Sequence, residues 1–381
     1  MKILSRESWT AALAEDRCPS AGERMSPSDT ECTMSDMNIS RIMCVVAMLT
    51  GIVAVGVAQP REDSGLQARL RAIAAAHPGK LALYATQLNT GKVVGLDPDA
   101  VVQTASVIKL TILLEAMEQV REGKAHWDDK IMLQPDDAVS GSGVLLFLDA
   151  PKMLTLKDVL SMMIIMSDNT ATNLAIEKLG LDAINARIGW MGLKDTHLYK
   201  KIGKPSTEPM PEDQPKYGLG KTTPREMAEV IERIGLCELQ NPGKLKVPGP
   251  ATISGQDQAI CGVAIKMLRN QFYRDTIPRY LEKLDTTENG SGIASKTGSL
   301  NAVRNDVAIV AGKTGPMVLS IFTYDNGDTG WTADNEAELT IAKLAKAVVE
   351  AWSPAGIDGK TLVPGLGLAG VVPRSTGAAS K

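Results

Sequence analysis

The chain has 381 residues, 44% hydrophobic, 22% charged and only 4% aromatic, with a formal net charge of −3. That length allows one large domain or two ordinary ones, and the apolar share supports a packed core rather than a disordered chain. No dense Lys/Arg block offers an electrostatic footprint for nucleic acid, and the scattered His77, His126 and His197 with five cysteines form no metal-ligand spacing such as CxxC or HExxH, so nucleic acid, metals and other cofactors are not expected.

Residues 42–57 are uncharged and mostly apolar, preceded by Arg41 and followed by Ala58-Gln59. A basic flank, an apolar stretch and a small-residue cleavage site make a secretory signal. The run is shorter than the roughly 20 apolar residues of a membrane-spanning helix, so no stable membrane insertion is expected after cleavage. Residues 1–58 are read as a leader, with Met34 or Met37 as the start unless the polar segment is a long n-region. The exported chain, periplasmic or secreted, keeps only Cys237 and Cys261. An even pair in that compartment points to a disulfide, two free buried thiols being the alternative. The Pro/Gly-rich stretch between the cysteines lacks helical or strand periodicity.

Along the rest of the chain, 66–76 reads as a helix with Leu66, Leu70 and Ile73 on one face, and 81–96 as a hairpin turning at Asn89-Thr90-Gly91-Lys92. From Ala105 to about Leu284 helical patterns and loops dominate. Strand patterns return at 293–299, 306–311 and 317–324, and a last helix runs over 335–352, capped by Asp334. Strands and a helix at both ends enclosing a helical middle predict an α+β fold, an antiparallel sheet flanked by helices plus an all-α lobe. Residues 353–381, rich in Gly and Pro, read as a flexible tail.

Three short segments carry chemistry. Ser106 and Lys109 are three apart at the start of a helical run, so they share a face near a helix amino terminus. A serine there is activated if the lysine is held neutral and takes the hydroxyl proton. Ser167-Asp168-Asn169 interrupts a helical pattern at the end of a buried run, where a cap and turn is the alternative reading. Lys296-Thr297-Gly298, followed by Ser299, lies within a strand pattern and offers a cation, a hydroxyl and a close-approach glycine. A second copy, Lys313-Thr314-Gly315, precedes Pro316 and reads as a hairpin turn.

SxxK, SDN and KTG in this order resemble the serine β-lactamases of class A and the related penicillin-binding proteins. Ser140-Gly141-Ser142-Gly143-Val144-Leu145 and Thr222-Thr223-Pro224-Arg225-Glu226-Met227-Ala228 extend the resemblance, which covers 64–352 as one catalytic domain. It implies that Ser106 forms an acyl-enzyme with a β-lactam, with Lys109 in the proton network. Ser167 passes a proton to the leaving nitrogen, Asn169 touches Lys109 and the substrate side chain, and Lys296 with Thr297 binds the substrate carboxylate. The Ser106 and Ser299 N–H groups form the oxyanion hole. The sequence departs from the family at the deacylation glutamate: Glu208 precedes Pro209, the family's Leu-Asn is absent, and Glu212 stands where the amide would be. Glu208, Glu212 or neither activates the water. The expected function is class A-like hydrolysis of β-lactams, and the alternative is a penicillin-binding D,D-peptidase or esterase-like enzyme acting on cell-wall peptide-like substrates.

Overall fold

The computed structural model describes residues 61–206, 209–240, 242–243, 253–288 and 290–362. The leader, with its apolar stretch, and Glu208 lie outside the described residues. Strand β1 (Arg61–Glu62) is followed by helix α1 (Ser64–Ala75), which starts early because the Asp63 carboxylate caps it, accepting from the Leu66 N–H at 3.1 Å. β2 (Lys80–Gln87) and β3 (Lys92–Leu96) form the expected hairpin. Then come β4 (Val102–Gln103), α2 (Lys109–Arg121), the hairpin β5 (Lys130–Leu133) and β6 (Lys152–Thr155), α3 (Leu156–Ile165), α4 (Asn169–Leu179) and α5 (Leu181–Trp190). A small sheet of β4, β8 (Gly220–Thr222) and β7 (His197–Leu198) follows, with the short α6 (Gln214–Tyr217) before β8. The chain then makes α7 (Pro224–Leu236), α8 (Gly255–Arg269), β9 (Ile293–Leu300), β10 (Val303–Val310), β11 (Met317–Tyr324) and α9 (Glu336–Trp352).

The main sheet has the order β1-β3-β2-β11-β10-β9 and is antiparallel except for the β1–β3 pair. Both ends of the chain therefore build one sheet, and β9 is left at its edge. α9, packed beside α1, and α7 both lie against β10 and β11. Every position of β10 is buried, which accounts for the unbroken apolar run of its second half, 307–310, where a one-sided strand would alternate. α2 is buried from Lys109 through Glu118 and is the axis of the helical lobe, in contact with α3, α4, α5, α7 and α8.

Three expectations change. The stretch between the cysteines contains the first turns of α8, started by Ser254, whose hydroxyl accepts from the Asp257 N–H at 3.0 Å. Its polar first turn and mixed faces hid the periodicity. Cys261 on this helix is bonded to Cys237 at the end of α7, with Cα atoms 5.7 Å apart. Asn335 rather than Asp334 caps α9, accepting from the Ala337 and Glu338 N–H groups, while Asp334 pairs with Arg279 at 2.8 Å. Finally, the ordered chain continues past Trp352: Ile357 and Leu362 are buried, and Ile357 bridges to Asp285 and Gly312. Residues 363–381 lie outside the described residues.

Candidate active site

The turn that carries Ser106 is a short 3-10 segment, Ala105–Ile108, leading directly into α2. In such a turn positions three apart are nearly eclipsed, so Ser106 and Lys109 stand on one side. Ala105 takes a positive φ of 44°, a conformation that costs on the order of 1 kcal/mol outside glycine and persists only when neighbours hold it. The neighbours are present. The Asn305 side chain on β10 donates to the Gln103 and Thr104 carbonyls at 3.0 and 3.2 Å, and the Thr104 hydroxyl donates to the Gly220 carbonyl at 3.0 Å. Ser106 itself is half-buried.

Ser167-Asp168-Asn169 joins α3 to α4. Ser167 has φ 54°, and Asp168 caps α4 with one carboxylate oxygen, accepting from the Ala171 N–H at 2.8 Å. Its other oxygen accepts from the N–H groups of Val144 (2.6 Å) and Leu145 (2.8 Å). The aspartate is therefore the cap, and the residues on either side of it, Ser167 and Asn169, both accept from the Lys109 side chain. The flanking loop is sewn to this turn, because Asn169 N–H donates to the Ser142 carbonyl and the Asn169 side chain to the Ser140 carbonyl. Glycine is required at 143, with φ 117°, since a Cβ there would lie 2.3 Å from the Asp168 carboxylate.

Edge strand β9 supplies the third wall. A Cβ on Gly298 would sit 2.9 Å from the Ser106 and Val107 nitrogens and from the Thr104 carbonyl oxygen, so the strand packs directly on the nucleophile turn. Thr297 is buried, and Ser299 is half-buried. Because β9 pairs with β10 on one side only, its other side can offer backbone groups to an extended substrate.

The fold gathers the charged groups around one hydroxyl. The Lys109 ammonium donates to the Ser167 carbonyl at 2.6 Å, the Ser167 Oγ at 3.2 Å and the Asn169 Oδ1 at 3.2 Å. From the opposite side the Lys296 ammonium reaches the same Ser167 Oγ at 3.0 Å and the Thr297 carbonyl at 2.7 Å. Both side chains are fully buried. Burial first, and the nearby Lys296 charge second, hold Lys109 well below the ordinary lysine range. Burial brings Lys296 down to about 7, against the opposing pull of Asp306. Asp306, on β10 opposite Thr297, is itself pushed up to about 6 by burial, although Thr276 Oγ1 and the Ile277 N–H donate to it.

Lys109, Ser167, Asn169, Lys296 and Thr297 thus form one hydrogen-bonded cluster, Gly298 of the strand that ends in Ser299 and Leu300 packs on the Ser106 turn, and Glu212 is exposed. Sequence reasoning missed the residues that hold these in place. Asn173, one turn after Asn169 on α4, clamps the loop backbone at Ile202, donating to its carbonyl at 2.9 Å and accepting from its N–H at 2.8 Å. An asparagine at i+4 on the same helix face was the available signal. Asn305 and Asp306, two polar residues inside an apolar strand, were a second.

The model of the beta-lactamase enzyme family matches residues 65–352. A β-lactamase from Sphaerobacter thermophilus is 30% identical, with 76% of this chain and 97% of that one covered at a TM-score of 0.60. Two further structures share the fold: PBP-A, 22% identical over 78% of this chain and 99% of that one at a TM-score of 0.63, and a class A β-lactamase of the last common ancestor of Gram-negative bacteria, 20% identical over 75% and 99% at 0.58. No curated relative matches the chain. With its whole catalytic domain spanned by the family model, the chain belongs to the beta-lactamase enzyme family, serine hydrolases that act on β-lactams.

Proposed function

We propose that Ser106 Oγ attacks the lactam carbonyl, that neutral Lys109 takes its proton, and that the C–N bond breaks as Ser167 passes a proton to the leaving nitrogen. The observation that carries this reading is the convergence of two buried lysines, from the helical lobe and from the sheet, on the Ser167 hydroxyl beside the Ser106 turn. Burial and the Lys296 charge lower the Lys109 pKa, which favours the neutral form that a base needs. Lys296 and Thr297 bind the substrate carboxylate, whose charge offsets the buried ammonium, and Asn169 binds the acyl side chain. The Ser106 and Ser299 N–H groups stabilise the oxyanion, an effect of about 3 kcal/mol per donor in related chemistry. Water then attacks the acyl carbonyl with Glu208 as base, releasing the opened product and restoring Ser106. The test is covalent labelling by a fluorescent penicillin: wild type labels, and Ser106→Ala does not. Persistent labelling of Ser106→Ala removes that serine from the role.

A second reading, a penicillin-binding D,D-peptidase or esterase-like enzyme that releases its acyl group slowly, draws on one observation. The loop backbone held against α4 beside Asn169 is Ile202, which carries no carboxylate, and Glu212 is exposed. Export to the periplasm or beyond the cell is supported by the signal-like 42–57 stretch and by the disulfide. There, hydrolysis of β-lactams gives antibiotic resistance.

A further inference from the structure

Residues 271–276, between α8 and β9, cross from the SDN turn to the KTG strand. At one end Gln271 donates its side-chain amide to the Ile164 carbonyl at 2.9 Å, and the Phe272 N–H donates to the Ile165 carbonyl at 3.1 Å, so the segment is fixed to the last turn of α3 just ahead of Ser167. At the other end the Thr276 hydroxyl donates to Asp306, directly opposite Thr297, at 2.6 Å. Between these anchors the Tyr273 N–H donates to the Gln271 side chain at 3.2 Å, and the phenol is 3.1 Å from the Ser142 hydroxyl. Ser142 is in turn bonded to the carbonyl of Met166, the residue before Ser167, at 3.0 Å. The ring is therefore fixed at its backbone and at its tip, yet it remains 37% exposed, beside an edge-on Phe272 that is 64% exposed. A large aromatic side chain held at its backbone and tip and left open to solvent, with a second exposed ring edge-on beside it, suits contact with a ligand rather than core packing.

Resting on the site reading above, we propose that Tyr273 is a specificity-determining residue for the half of the substrate on the leaving-nitrogen side. In a fused bicyclic β-lactam the leaving nitrogen and the carboxylate belong to the same second ring. Ser167 protonates that nitrogen and Lys296 with Thr297 holds that carboxylate, so the second ring lies between the two anchors of the 271–276 segment. Tyr273 lines that span and packs against the ring and its apolar or aromatic substituent. Ser142 acts as a positioning residue by holding the phenol.

The experiment compares kcat/KM for two substrate pairs in the full-length enzyme. One is a pair of cephalosporins with the same acyl group and either a methyl or an aromatic-bearing substituent on the second ring; the other shares one nucleus and differs only in the acyl amide. Tyr273→Ala is expected to shrink the preference within the first pair roughly threefold to tenfold, the size of one aromatic contact, mainly through KM. The preference within the second pair stays within twofold. Tyr273→Phe and Ser142→Ala, which keep a ring but release its tip, give a smaller change of the same kind. Equal changes in both pairs, or no change in the first, overturn the proposal. Labelling of wild type by a fluorescent penicillin, abolished by Ser106→Ala, accompanies the series: if it fails, the site reading falls and this proposal with it, and if it succeeds while the first pair is unmoved, only this proposal falls.

Discussion

Lys296 sets two opposite pH dependences through one buried ammonium. In the proposed mechanism its charge holds an anionic substrate, and burial lowers its pKa to about 7, so KM is expected to rise above that pH. Lys296→Arg, which stays protonated, should flatten this alkaline rise in a kcat/KM profile even if the absolute rate falls. Stability runs the other way. Between pH about 7 and the ordinary lysine value, the folded protein binds fewer protons at Lys296 than the unfolded chain does, so stability rises with pH there. Asp306, raised to about 6, binds more protons in the folded state, so stability falls as pH climbs from the ordinary carboxylate value to about 6. Urea midpoints should therefore pass through a low point between about pH 6 and 7, and Lys296→Met should lift that low point while abolishing carboxylate binding; a midpoint unaffected by Lys296→Met would contradict the buried charge. At Glu208 the expectation is kinetic: Glu208→Gln should slow acyl-enzyme release roughly 100-fold or more while leaving acylation intact, read by intact-protein mass over time. Unchanged release points away from Glu208 as the water base.

Each element contributes a short polar insertion into an apolar frame, which explains what could be read from the chain and what could not. The SxxK, SDN and KTG segments were legible because small polar residues stand out against the buried runs of α2, α3 and β9. β10 begins three residues before the expected 306, because the polar Arg304 and Asn305 interrupt its pattern, but most flanking strands and helices were legible from periodicity within a residue or two of their observed ends. α8 was not, because Gln256, Asp257 and Lys266 dilute its apolar stripe. Nor were the cross-element clamps, Asn173 on Ile202 and Asn305 on the Ser106 turn, since each joins residues whose proximity only the tertiary fold creates. Gly298 shows how tight that joint is. Gly298→Ala would push a methyl group within 2.9 Å of three backbone atoms of the nucleophile turn, and a displacement of that turn should cost about 100-fold in acylation rate. A normal rate in stopped-flow acylation would show that the turn can yield. At the joint between α7 and α8, Cys237→Ser with Cys261→Ser removes a cross-link over a sequence separation of 24. About 3 kcal/mol of stability should be lost by urea titration with the chain-entropy cost restored, at unchanged kcat, since neither cysteine borders the site.

The whole molecule places the proposed nucleophile where two lobes meet: Ser106 and Lys109 on the first turns of the helical lobe, Ser167 between two of its helices, and Lys296 on the open edge of a sheet built from the two ends of the described chain. Neither lobe holds the site alone, so activity should be lost in the same cooperative transition that unfolds the sheet. The near-neutral composition is consistent with this economy of charge, because in the proposed mechanism a few buried cations, rather than a basic surface, receive the anionic substrate. In the proposed mechanism Ser106 is acylated by a β-lactam and then released by water. Rapid-mixing kinetics with a chromogenic cephalosporin, with quenched samples mapped by peptide mass, address it directly. A burst stoichiometric with enzyme, an adduct on the Ser106 peptide and sustained turnover after the burst are expected; turnover with no Ser106 adduct, or a burst that stalls permanently, would contradict acylation and release at Ser106.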